Sequence, residues 1–392
     1  MATYLTDLGL VNALGAGQKA VGQALFAGQR ALTPCDWVPG RQTYTAAVTA
    51  DLAPLPDALS PLRSRNAQLA VTALTQISST IELALERYGA ERVAVVAGTS
   101  TSGIAEGEAA IKALQQTGRL PASYDYRQQE IGNLSALVAG FTGAAGPAYT
   151  LSTACSSSAH ALGSAKRLLD AGLADAVIAG GADSLCRLTV NGFAALDSVS
   201  AEPCVPFSVN RAGINIGESA AFFLVTREPL LHDIELLGVG ASSDAHHISA
   251  PDPSGAGAEA AIRAALAAAQ CRLDDVDYIN LHGTGTPLND AMESAVVARL
   301  FGHQPLCSSS KGQVGHTLGA AGATEVALCW LALIESCAPP HVWDNSPDPA
   351  LPELQLAQHN SLLLPASPRV LLSHSFAFGG NNAVVVLGDS RA

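Results

Sequence analysis

The run Glu91-Arg-Val-Ala-Val-Val-Ala-Gly-Thr-Ser-Thr101 recurs far downstream as Val276-Asp-Tyr-Ile-Asn-Leu-His-Gly-Thr-Gly-Thr286. In each, an apolar stretch of strand length is stopped by glycine, and each follows an Ala- and Leu-rich helical pattern. A second matching pair consists of helix-like segments built from small residues, one after Cys155 and one from His316. Such self-similarity confines the chain to a duplicated α/β unit, with halves near 1–228 and 229–392. Each half is expected to alternate strands and helices around a mainly parallel central sheet. At 392 residues the chain exceeds a usual single core, yet no Pro- or Ser-rich linker divides it, which fits two fused domains. Ala, Gly and Ser let backbones approach, so the two small-residue helices are expected to pack between sheets and bring their starts to one shared site.

Chemistry-bearing residues fall at those starts. Cys155, in Leu151-Ser-Thr-Ala-Cys-Ser-Ser-Ser-Ala-His160, stands where an extended run ends and a helix begins. The positive end of a helix stabilises a thiolate, so Cys155 is expected to ionise readily and act as a nucleophile. By itself it reads more readily as an inert buried cysteine, as most free cysteines in globular cores are. His282 follows the strand-like run Val276–Leu281, at the carboxyl edge where ligands gather in α/β sheets. His316 follows the run Pro305–Ser309 and a loop carrying Lys311, and is expected to open a helix, a setting that favours a neutral imidazole. Near the C-terminus, Ser373-His-Ser-Phe-Ala-Phe-Gly-Gly-Asn-Asn382 places two glycines between strands, where backbone N–H groups can be aimed at a ligand or a plain hairpin can turn.

Together these segments resemble the elongating β-ketoacyl-acyl carrier protein synthases, condensing enzymes of the thiolase-like superfamily, over essentially the whole chain. Further stretches carry the likeness: Thr6–Gly15, Val96–Gly103, Ala179–Asp183 and Pro206–Glu218. The resemblance implies a thiolase-like fold with layers in the order α-β-α-β-α. It implies that Cys155 accepts the acyl group and that His282 and His316 assist malonyl decarboxylation, with Lys311 and Glu325 as supporting charges. Thr284 and Thr286 match positions that hold the phosphopantetheine arm. Phe378 matches a gating aromatic whose backbone N–H forms an oxyanion hole with that of Cys155. No cofactor is implied, since the substrates ride on the phosphopantetheine of acyl carrier protein. Ala212 stands where many members have Asp, Ala377 where they have Gly, and Asn381 where they have Thr. The wording Gly213–Glu218 and Leu288-Asn-Asp290 looks closer to synthases of specialised polyene clusters, including aryl polyenes.

Charge and cysteine usage set the surroundings. Lys and Arg total 21 against 34 Asp and Glu, for a net charge of −13, which argues against nonspecific binding of nucleic acid or anionic membrane. Acyl carrier proteins are acidic, so a local basic patch is expected, with Arg63, Arg65 and Arg127 as candidates. Eight cysteines without Cys-x-x-Cys spacing, and histidines without a zinc pattern, suggest neither a disulfide framework nor a metal site. A reducing cytoplasm fits, as do the lack of a basic, apolar leader at the start and of an uninterrupted apolar run of about 18 residues. The family implies a homodimer, with a heterodimer alongside a chain-length-factor-like subunit as the alternative. Two other functions share these features: a noncatalytic chain-length-factor-like partner, which usually lacks the nucleophile, and a Cys-dependent acyltransferase or thioesterase using one histidine as base, in which the second histidine, Lys311 and the gate would have no clear purpose.

Overall fold

The computed structural model describes residues 2–363 and 368–390. The first half contributes β1 (Tyr4–Asn12), β2 (Gly15–Ala16), α1 (Gln18–Phe26), β3 (Thr33–Val38), β4 (Arg41–Ala46), α2 (Arg65–Gln76), α3 (Ser78–Tyr88), β5 (Val93–Gly98), α4 (Ile104–Thr117), α5 (Asn133–Thr142), β6 (Ala148–Leu151), α6 (Ser157–Asp170), β7 (Ala176–Asp183), α7 (Arg187–Ala195), β8 (Ile216–Gly217) and β9 (Ser219–Thr226). The second half adds β10 (Glu235–Ser243), α8 (Ala256–Ala269), β11 (Tyr278–Asn280), α9 (Pro287–Phe301), β12 (Leu306–Ser308), α10 (Lys311–Val314), α11 (Ala321–Glu335), β13 (Val370–Phe376) and β14 (Asn381–Gly388).

The main sheet runs β12-β11-β13-β14-β10-β1-β9-β7-β5-β6, so its two halves meet where β1 pairs with β10. The repeat legible in the sequence lies at matching places: β5 and β11 are each second from an outer edge, and each pairs in parallel with both neighbours. The sheet is mixed, as expected of the fold, but its parallel pairs lie only toward the outer edges: β9, β1, β10 and β14 form an antiparallel middle, with β7 and β13 as the turning strands. The cause is local. Only the strands followed by a crossover helix are forced to be parallel, whereas β13 returns into β14 through the four-residue turn at Ala377–Gly380.

Helices α6 and α11 lie in the central layer, inside an apolar core that includes Ala159, Leu162, Val326 and Trp330. Their small residues act as expected. A Cβ on Gly322 would come 2.6 Å from Ala159 N, and one on Gly98 would come 2.4 Å from Ser158 N. Such distances are too short for any side chain larger than glycine's hydrogen, so these two positions set how closely the helices and β5 approach. Ala323 N also donates to Ser158 Oγ at 2.8 Å across the helix pair. Outer cores formed around α2 and α5 on one side and α8 and α9 on the other complete the five layers. The segment Leu318–Glu335 is long and apolar enough to cross a membrane, but 89% of it is buried inside the protein, as a central-layer helix must be.

Candidate active site

The starts of the two central helices do converge. Cys155 follows β6 and comes just ahead of α6; Ala154 before it takes a left-handed φ of 51°, a conformation that turns the chain sharply. His316 does not open a helix. It lies between α10 and the 3₁₀ turn Leu318–Ala320 that leads into α11, while Lys311 is the first residue of α10 rather than part of a loop. His316 Nε2 stands 2.9 Å from Cys155 Sγ, and Leu318 N donates to His316 Nδ1 at 3.3 Å. Since Nδ1 accepts, the proton of a neutral His316 resides on Nε2, which then donates toward the sulfur. His282 sits edge-on to His316, with ring centroids 5.5 Å apart at 86°.

One donor atom each from Cys155, His282 and His316 lies within 4.8 Å of the others, a spacing that could also hold a metal ion. A metal-bound histidine usually donates its second N–H outward. Here the second nitrogen of His316 accepts instead, leaving no lone pair on the atom that faces the sulfur.

Burial sets the protonation states. Both imidazoles are held well below the usual histidine range by desolvation, reinforced by the Lys311 charge, and are therefore neutral near pH 7. The Cys155 thiol is pushed up to about 12 by burial, against the opposing pull of Lys311 and of a hydrogen bond from the Phe378 backbone N–H. The helix-start expectation of a ready thiolate is thus corrected. A dipole end worth about 1 kcal/mol is outweighed by the cost of burying a charge. Lys311 is buried, and its Nζ binds both Glu325 Oε1 and the carbonyl of His282. Burial raises the Glu325 carboxyl while its ion pair with Lys311 lowers it, with burial the larger effect.

Phe378 caps the turn after β13, its ring 5.4 Å from that of Phe193. Gly379 and Gly380 take φ values of 80° and 76°, and a Cβ on Gly380 would lie 2.3 Å from Asp244 O. Ala377 has an ordinary extended φ of −89°, so the methyl group costs the backbone nothing there. Thr284 and Thr286 line the same cavity of about 200 Å³ as Cys155, His282, His316 and Phe378, with their hydroxyls 2.8 Å apart.

The sequence reading missed the groups that hold this arrangement. Glu293 of α9, fully buried, accepts from His282 N at 2.8 Å and Gly283 N at 2.7 Å, while Asp290 accepts from Gly285 N at 3.2 Å and Phe207 N at 2.8 Å. The available signal was a pair of acids in the first two turns of a helix opened by Pro287, where carboxylates reach back to unpaired amides. Asp183, at the end of β7, gathers N–H groups of Ser100, Thr101 and Gly319 and so ties the tip of β5 to the approach to α11.

The three arginines expected to form a basic patch each face an acidic neighbour. Arg65 is committed to the buried carboxylate of Glu218, with Nε 2.9 Å from Oε2, and to the Val48 carbonyl. Arg127 is paired with Asp125 through two hydrogen bonds. Arg63 stays exposed, 3.9 Å from Asp57. Reversing Arg65 to Glu would leave Glu218 buried opposite a like charge, and chemical denaturation of Arg65→Glu is expected to show a loss of about 3–5 kcal/mol. A loss below about 1 kcal/mol, typical of a surface pair, would show that the contact is not structural.

Comparisons with known proteins agree with this geometry. The profile described as Beta-ketoacyl synthase, N-terminal domain matches residues 13–229, and that of the C-terminal domain matches residues 234–343. A 3-oxoacyl-[acyl-carrier-protein] synthase 2 from Coxiella burnetii is 32% identical over 407 residues, covering 98% of this chain and 97% of that one. Nodulation protein E from Rhizobium meliloti is 37% identical over 253 residues, a match that spans 62% of either chain and so less than two thirds of that relative's length. Among solved structures, a ketosynthase (ApeO) from Xenorhabdus doucetiae, in complex with its chain length factor (ApeC), is 45% identical with a TM-score of 0.94, covering 99% of this chain and 98% of that one. Two matched domains spanning residues 13–343, full-length relatives, and a cysteine and two neutral histidines around one cavity lead to one conclusion: the chain belongs to the β-ketoacyl synthase family.

Proposed function

We propose that this protein is a 3-oxoacyl-[acyl-carrier-protein] synthase that extends an acyl chain on Cys155 by two carbons taken from malonyl carrier protein. The observation that carries the reading is the approach of His316 Nε2 to Cys155 Sγ, with the Phe378 N–H bonded to the same sulfur and His282 alongside. In the first half-reaction, Sγ attacks the carbonyl of an acyl thioester and its proton leaves with the departing pantetheine sulfur. The N–H groups of Phe378 and Cys155 receive the oxyanion, where one donor is worth about 10²–10³ in rate. Thr284 and Thr286 hold the arm. In the second, malonyl thioester loses carbon dioxide, and the enolate oxygen accepts from the His282 and His316 N–H groups. The enolate carbon then attacks the acyl-Cys155 carbonyl and expels Sγ as a thiolate, which takes up one proton from solvent to restore the thiol. Lys311, neutralised by Glu325, fixes the His282 carbonyl. The nucleophile thus comes from residues 1–228 and the imidazole pair from 229–392, which we take as the two domains.

The chain length factor seated on the Xenorhabdus relative supports a heterodimer with a similar subunit, in place of the homodimer that family resemblance alone implies. The same relative, with the Gly213–Glu218 wording, supports a polyene product, and eight cysteines without Cys-x-x-Cys spacing fit a cytoplasmic setting. Arg63 is the carrier contact that the ion-pair pattern leaves available. The test is to mix the purified protein, alone and with a co-expressed chain-length-factor-like subunit, with acyl- and malonyl-carrier protein and follow intact masses. Acylation of Cys155 and a product extended by two carbons are expected. Acylation followed only by hydrolysis or transfer would replace condensation with thioesterase or acyltransferase activity, and no acylation under either condition would point to a noncatalytic subunit.

A further inference from the structure

We propose that His374 is a positioning residue for condensation, holding His282 in register with the Phe378 turn through the buried carboxylate of Glu293. This rests on the condensation reading above and adds to it a group that touches no reacting atom. His374 is fully buried on β13, with Nδ1 3.0 Å from Glu293 Oε1. The same Oε1 accepts from His282 N at 2.8 Å, and Oε2 accepts from Gly283 N at 2.7 Å. Backbone amides only donate, so both carboxylate oxygens act as acceptors and His374 must present Nδ1–H. Its Nε2 finds no hydrogen-bond partner among the described residues. An imidazole buried with one nitrogen unsatisfied is costly to keep for packing alone.

The location explains what the contact does. The ladder between β11 and β13 ends at Asn280 opposite Ser373. Beyond that point the two strands part, one toward His282 and the other toward Phe378. The linkage from His374 through Glu293 to His282 N is the polar tie between them just past the end of the ladder. Phe376 adds an apolar tie, with its ring 6.2 Å from His282 and 5.1 Å from His374. Without His374, Glu293 keeps its amides but is no longer anchored to β13, and His282 can shift relative to Cys155. Acylation of Cys155 uses Sγ and the Phe378 N–H and depends little on His282, whereas decarboxylation and condensation depend on it directly.

The experiment is single-turnover intact mass spectrometry on the full-length protein with whatever subunit it needs, timing Cys155 acylation and two-carbon extension separately, with thermal melting to confirm folding. Displacing a catalytic group by about 1 Å costs roughly 10²-fold, so His374→Ala is expected to slow extension by about that factor while acylation changes by less than about threefold. His374→Asn, which places an N–H near the position of Nδ1, should recover extension to within about tenfold of wild type. Equal losses in the two steps, no loss in extension, or an Asn variant no better than Ala would overturn the role of His374. A wild-type protein that acylates and never extends would overturn this role together with the condensation reading.

Discussion

Alanine at Cys155 should abolish acylation and chain extension while sparing loss of carbon dioxide from malonyl carrier protein. The sulfur is the only acyl acceptor in the reading above, so its removal eliminates the covalent step, whereas His282 and His316 remain facing the cavity. His316 Nε2–H, now relieved of its contact with Sγ, is free to meet a thioester oxygen. Extension is expected to fall by at least about 10³-fold, as for loss of an essential nucleophile. Carbon dioxide release should stay within about tenfold of wild type, because the donors that stabilise the enolate are intact. Intact mass and a carbon dioxide assay on the same preparation decide it. Loss of both activities would mean that the sulfur is needed to shape the malonyl site, and retention of extension would remove Cys155 from the mechanism.

Substituting Lys311 with Met should be strongly destabilising. Lys311 and Glu325 are both buried, and the ammonium also binds the carbonyl of His282. Removing one member of a buried pair leaves an uncompensated charge and typically costs about 3–5 kcal/mol. Glu325 would respond by holding a proton, since the lowering contributed by Lys311 disappears while the larger effect of burial remains. The folded variant would then bind one proton that the unfolded chain releases above its ordinary carboxylate pKa. Unfolded minus folded bound protons is −1 in that window, so the variant should lose about 1.4 kcal/mol of stability per unit as pH rises from about 5 toward the raised pKa of Glu325. Urea denaturation at pH 6 and pH 8 checks the sign: a variant more stable at pH 8 would contradict it. Adding Glu325→Gln should recover most of the stability but not the activity, because His282 still lacks its carbonyl partner and Cys155 lacks the positive charge that draws its thiol pKa down. Full recovery of activity in the double variant would confine the pair to a structural role.

The two sets of residues at risk in these experiments were legible in the sequence to different degrees. Cys155, His282 and His316 could be found because each follows a strand-length apolar run or opens onto small residues, patterns that lie within a few positions of one another. Lys311 and Glu325 came from the resemblance, and that they touch is a fact of the fold. Glu293 and Asp290 carried only the faint mark of acids in the first two turns of a helix opened by Pro287, and His374 carried none of its own. Glu293 and His374 are 81 positions apart and meet only because α9 packs behind the ends of β11 and β13. Arg65 misled for the same reason: as a cation before a helix it reads as surface charge, and its partner Glu218 is 153 positions away.

The duplicated α/β unit, the candidate residues for the chemistry and the close approach of the helices behind Cys155 and His316 could all be read along the chain, because strand length, glycine placement and side-chain size are local properties. Tertiary contacts set the antiparallel middle of the sheet, the burial that disfavours charge on the thiol and both imidazoles, and the carboxylates that brace the His282 loop. Those depend on desolvation and on contacts between distant segments, and neither exists until the two halves close over one cavity.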